Sequence, residues 1–184
     1  MVRRRGLYVA AAAVVAALAA GSYALAGALD GPGKVPDTKN FHARLNGFQE
    51  TPSNSTTGFG DFDARLVADD RLHYVFRYAD LEGGNSLFAH VHFAQRGVAG
   101  GVMFFLCGGG GKPACPNVAG TVEGDVTPAD VVGPNGQGIE PGSFAEMLRA
   151  MRAGHSYANI HTTRWPAGEI RGQINDKDQK EFDK

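Results

Sequence analysis

The stretch Gly58–Leu81, GFGDFDARLVADDRLHYVFRYADL, decides the fold. Its second half places Leu72, Tyr74, Phe76 and Tyr78 at every other position, with His73, Val75 and Arg77 between them. A period of two puts the first set on one face of a β-strand and the second set on the other. The first half, GFGDFDARLVADD, ends in Asp69-Asp70, a turn pair, and the second run follows at once. Two strand patterns joined by so short a turn predict an antiparallel hairpin.

The same pattern recurs on both sides. FHARLNG (41–47) alternates Phe41, Ala43 and Leu45 with His42, Arg44 and Asn46. SLFAHVHFA (86–94), GGVMFFL (100–106), GTVEGDV (120–126), SYANIHTT (156–163) and GEIRGQI (168–174) supply further short strands. With 26 glycines in 184 residues and 43% apolar content, the composition suits many strands joined by tight turns. The expected fold class is all-β, an antiparallel Greek-key-like sandwich or barrel. One helical insertion is expected over about 127–153. Thr127-Pro128-Ala129-Asp130 opens a short turn, and Ser143-Phe144-Ala145-Glu146 reads as a capping box leading into a helix that Gly154 stops. Phe144, Leu148 and Met151 would form the apolar face of that helix.

The N-terminus reads as a targeting segment. Arg3, Arg4 and Arg5 precede an uncharged Ala/Val/Leu-rich run from Gly6 to Leu29, and Ala24-Leu25-Ala26 fits the small-x-small cleavage pattern. Residues 1–26 are therefore either a signal peptide or an uncleaved membrane anchor, since the run is long enough to span a bilayer. Arg4-Arg5-Gly6-Leu7-Tyr8 is also similar to a twin-arginine signal, although three adjacent arginines occur in ordinary signals. Both readings export the domain, so the expected location is secreted or on the outer face of the envelope. Residues 27–40 form a linker, 41–174 one domain without internal repeats, and 175–184 a charged tail. Without residues 1–26 the chain carries 15 Lys/Arg against 19 Asp/Glu, a mildly acidic balance. No basic patch interleaved with aromatics appears, so no nucleic-acid partner is expected. The expected partner is an unidentified extracellular or envelope component, with membrane contact only through an uncleaved N-terminus.

Cys107 and Cys115 flank CGGGGKPAC. In an oxidising compartment this pair reads as a disulfide, which would stabilise by roughly 2–3 kcal/mol in the chain-entropy model.

Candidate chemistry lies on two strands. In FAHVHFA, Ala89, Val91 and Phe93 make a core face, so His90 and His92 share the opposite one. In SYANIHTT, Ala158 and Ile160 point in while Tyr157, Asn159 and His161 point out. If the strands are neighbours, His90, His92 and His161 make a three-imidazole set suited to copper or zinc. Asn159 or Glu169 would then steady the rings from outside. The alternative is a polar outer face whose histidines are merely wet. Glu169 and Arg171 read as structural ion-pairing residues, with each other or across strands, and His42, His73 and His155 as surface residues. No nucleophile elbow, phosphate loop or dinucleotide fingerprint is present, so no catalytic residues are assigned.

At these residues the sequence resembles a known family. YANIHTTRWPAGEIRGQI (157–174) is similar to the C-terminal signature of the CHRD domain, named after chordin. FHARLNGFQETPSNSTTGFGDF, LHYVFRYADL and AHVHFAQRGVAGGVMFFL agree in order. The resemblance implies a β-rich exported module with no established general enzymatic activity. The cysteine-rich modules that accompany CHRD domains in chordin are absent, so growth-factor binding is not carried over. A second resemblance concerns chemistry: His90 and His92, with the late His161, are similar to the copper ligands of Cu/Zn superoxide dismutases. The bridging histidine and zinc cluster of those enzymes have no counterpart between His92 and His155. Three readings follow: a binding module holding copper or zinc, a dismutase-like metalloenzyme, and a structural or adhesive envelope module.

Overall fold

A computed structural model of the chain describes residues 37–175. The targeting segment over 1–26, the linker up to residue 36 and the tail from residue 176 lie outside the described residues.

Eight strands form where alternation placed them: β1 (Asn40–Asn46), β2 (Phe59–Ala68), β3 (Arg71–Ala79), β4 (Ser86–Phe93), β5 (Gly101–Cys107), β6 (Gly120–Val126), β7 (Ser156–Thr162) and β8 (Ile170–Gln173). They make one sheet in the order β5-β4-β7-β8-β1-β2-β3-β6, every neighbouring pair antiparallel. The β2–β3 hairpin turns at Asp69-Asp70, with Phe62 opposite Phe76 and Ala64 opposite Tyr74. The sheet curls into a nearly closed barrel whose seam lies between β5 and β6. Across it the Tyr74 hydroxyl of β3 donates to Leu106 O of β5 at 2.8 Å. The Cys107–Cys115 disulfide forms, and Lys112 within its loop reaches Asp125 O on β6 and the Asp130 carboxylate, both at 2.8 Å. The loop thus ties the two edge strands together, which leaves less unpaired backbone for wrong partners.

One set of alternate side chains fills the barrel. Tyr74, Phe62, Phe76, Phe104, Leu45 and Ile160 are among its largest fully buried members. Burial of each contributes roughly 1.5–3 kcal/mol. β8 passes close to β1 because residue 172 is glycine; a Cβ there would overlap Arg44 O. The two chain ends of the domain meet side by side, where Asn175 Oδ1 accepts from His42 N at 3.1 Å and Asn175 N donates to His42 O at 3.0 Å.

The insertion between β6 and β7 carries two 3₁₀ turns, Pro128–Asp130 and Asn135–Gln137, and one helix, α1 (Phe144–Arg152). Asp130 accepts from both Thr127 N and Thr127 Oγ1 at 2.8 Å, closing the first turn. Phe144, Leu148 and Met151 are buried in the core as one face, and Gly154 ends the helix at φ +75°. The capping box expected at Ser143 does not form: Ser143 makes no side-chain cap, its φ/ψ of −78°/67° lying outside the extended conformation that aims a capping hydroxyl.

Glu169 is the polar anchor of the barrel. Fully buried, its carboxylate accepts from Thr56 Oγ1 (2.7 Å), Thr162 Oγ1 (2.7 Å), Glu82 N (2.6 Å) and Gly83 N (3.1 Å). Four donors from three chain segments replace the water the ion has lost. Residue 83 must be glycine, since a Cβ would overlap Thr162 Oγ1 and the carboxylate itself. The expected Glu169–Arg171 ion pair is replaced by this clamp. Replacing Glu169→Gln turns acceptors into a donor facing donors, and is expected to cost about 2–4 kcal/mol of unfolding free energy in urea titrations.

Candidate metal centre

The register of β4 against β7 brings the candidate residues together. His90 lies opposite Asn159, His92 opposite Tyr157 and Phe88 opposite His161. All six share the face away from the barrel core, while Ala89–Ile160 and Val91–Ala158 pair inside. The imidazole of His161 therefore sits diagonally beside His90, a spacing within reach of aromatic side chains. Ring centroids are 4.4 Å apart for His90–His92, 4.6 Å for His90–His161 and 6.4 Å for His92–His161. One ligand nitrogen from each ring lies within 4.8 Å of the other two.

The outer face is not wet. His90, His92 and His161 are 4%, 8% and 7% exposed. Alternation on one sheet cannot reveal this, because the cover comes from loops distant in sequence. Arg171 on β8 donates to Thr51 Oγ1 (3.2 Å), Gln95 O (3.3 Å) and Val98 O (2.9 Å), and Gln173 Nε2 donates to Ala94 O and Gly154 O at 2.9 Å. These bonds draw the segments after β1 and β4 over the face. His42 and His73 are half-exposed beside Asp63 and Asp125, and His155 is exposed, as expected of surface residues.

Each ring is fixed through its Nδ1. His90 Nδ1 bonds Asn159 Oδ1 (3.1 Å), His92 Nδ1 bonds Gly100 O (2.8 Å) and His161 Nδ1 bonds Pro166 O (2.9 Å). A carbonyl oxygen only accepts, so each Nδ1 carries the proton and each Nε2 of the neutral ring presents a lone pair. The Nε2 atoms of His92 and His161 are buried and bond to no group of the protein among the described residues. Burial, reinforced by His161 and Arg171, pushes His92 down to about 4. Burial with its two neighbours pushes His90 down to about 2, and burial lowers His161. All three are neutral imidazoles at neutral pH.

Of the two residues expected to steady the rings, Asn159 does so for His90, whereas Glu169 is engaged in the clamp described above. Sequence reasoning did not find the carbonyls of Gly100 and Pro166, which carry no local signal. It also missed Glu50, a buried carboxyl beside Asn159 Nδ2 (3.5 Å) that burial raises to about 7. Behind His92 the Tyr157 ring stacks in parallel, centroids 4.6 Å apart and planes 5° from coplanar. The Arg171 guanidinium lies over the far face of Tyr157 at 3.4 Å.

The CHRD domain family model matches residues 41–174. The chain belongs to the CHRD-domain family. The CHRD match begins at Phe41, the first buried residue of β1, and ends at Ile174, the last core side chain. No curated protein and no solved structure matches the chain.

The depressed rings make a pH prediction. The unfolded chain takes up protons below about pH 6.5 that the folded His90 and His92 refuse, so their contribution to stability is present above that pH and lost on acidification. Glu50 acts in the opposite sense, its raised folded value favouring the folded state as pH falls from 7. The Glu50→Gln variant should therefore lose stability on acidification more steeply than the parent, each depressed ring contributing about 1.4 kcal/mol per pH unit below 6.5. Nitrogen NMR should show His90 and His92 in the neutral Nδ1–H form from pH 8 to pH 5; imidazolium signals above pH 6 would contradict the arrangement.

Proposed function

We propose that this CHRD domain is an exported binding module that holds one transition-metal ion of the copper or zinc type at His90, His92 and His161. The observation that carries the reading is the convergence of three neutral imidazoles, each locked by its Nδ1–H on a carbonyl, with two Nε2 atoms buried and unpartnered. A buried acceptor without a donor costs about 1–3 kcal/mol, a cost that a bound cation removes. Locked tautomers with Nδ1–H on an oxygen are also what orient histidine ligands in protein metal sites. Metal–nitrogen bonds of 2.0–2.1 Å would need only a modest inward rotation of rings already this close. The disulfide and the family membership are compatible with an extracellular location, where the domain would meet metal ions outside the cell.

Copper and zinc titrations of the domain purified without its first 26 residues test this. The parent is expected to bind one equivalent, and saturation at a thousandfold excess over the dissociation constant should add about 4 kcal/mol to its stability. The His90→Ala/His92→Ala variant should lose both effects. Unchanged affinity in that variant would assign the histidines to packing and the domain to a structural role.

A further inference from the structure

We propose that the three-histidine site selects monovalent copper over divalent ions, with Arg171, acting through the Tyr157 ring, as the residue that sets this preference. The inference rests on the metal-binding reading and adds the charge and identity of the ion.

The donor set is uncharged. Among the described residues the only group of three or more histidine, cysteine, aspartate or glutamate side chains spaced to hold an ion is His90, His92 and His161. The nearest carboxyls are committed elsewhere. Glu169 is saturated by its four donors, and Glu50 stands behind Asn159, where it faces Arg171. A divalent ion would bring two uncompensated charges into a buried space. The cost of desolvating an ion rises with the square of its charge, so a monovalent ion suffers about a quarter of it.

The surroundings add to this. Phe88 and Phe105 flank His90 at 5.3 Å each, and Phe88 flanks His161 at 4.8 Å. This side of the site is aromatic hydrocarbon. The fixed guanidinium of Arg171, one ring removed from His92, is a permanent positive charge beside the site. Its repulsion of a divalent ion at a given distance is twice that of a monovalent one.

Geometry points the same way. His90 lies between His92 and His161, whose centroids are 6.4 Å apart, and the ligand nitrogens spread over as much as 4.8 Å. A three- or four-coordinate ion would draw them to roughly 3.4 Å, but the four-coordinate one also requires a fourth donor, and among the described residues no fourth histidine, cysteine, aspartate or glutamate joins the group. Cuprous copper is content with three donors and so needs nothing beyond the three imidazoles.

The test compares affinities in one buffer. Cu(I) is measured anaerobically against a chromophoric cuprous chelator, and Zn(II) against a chromophoric zinc chelator, with the domain lacking residues 1–26. One equivalent of Cu(I) is expected to bind at least about 100-fold more tightly than Zn(II). Equal or tighter Zn(II) binding that is lost in His90→Ala/His92→Ala would overturn the selection and leave the metal site standing. Retention of neither ion would overturn both. Arg171→Gln should narrow the ratio about tenfold and Arg171→Lys should keep it; an unchanged ratio in a folded Arg171→Gln protein removes Arg171 from the selection. Should Arg171→Gln fail to unfold cooperatively, Glu50→Gln decides instead. Removing the acid that faces Arg171 should widen the ratio, and a constant or narrower one overturns the role of Arg171.

Discussion

The site depends on one register, that of β4 against β7. Side chains alternate along a strand, so a slip of one residue would send His90 and His92 into the barrel and Ala89 and Val91 out of it. Two constraints hold the register. The core pairs Ala89–Ile160 and Val91–Ala158 leave no room for imidazoles inside. Outside, Asn159 must face His90 for the Nδ1 bond to form. Packing and hydrogen bonding select the same alignment, and a native-like alignment supported on both faces is what a funnelled sequence provides.

Both faces of this part of the sheet are buried, which is unusual for antiparallel strands. The inner face is apolar, and the outer face is polar but covered. Its polar groups do not await water; Arg171 and Gln173 spend their donors on loop carbonyls and so hold the cover down. Glu169 performs the corresponding service at the other end, joining the segment after β3 to β7 and β8. The three histidines thus lie under loops that the polar residues of their own face hold down, and this burial lowers their proton affinity.

Much of this was legible in the sequence. All eight strands announce themselves by alternation or by short apolar runs between glycine-rich turns, and the β2–β3 hairpin is explicit in Asp69-Asp70. The shared face of His90 and His92 follows from parity alone, and so does that of His161. The burial of that face was not legible. It results from bonds such as Arg171 to Val98 and His161 to Pro166, whose partners are backbone carbonyls that any residue type would offer. Glu169 misled for a related reason: two positions from Arg171 it looks like a surface pair, yet it stands just before β8, where it meets two threonines and two backbone amides instead. At Ser143 the capping motif was present but the incoming chain arrives at the wrong angle to use it.

The meeting of the domain's two ends at His42 and Asn175 has a bearing on how such a unit is used. A barrel whose first and last strands are neighbours occupies, from the standpoint of any surrounding polypeptide, hardly more room than a single turn. It can hang from a tether, follow another domain in a string, or interrupt a host loop, and in none of these settings must its strands change partners. Portability is thereby a property of the strand order itself.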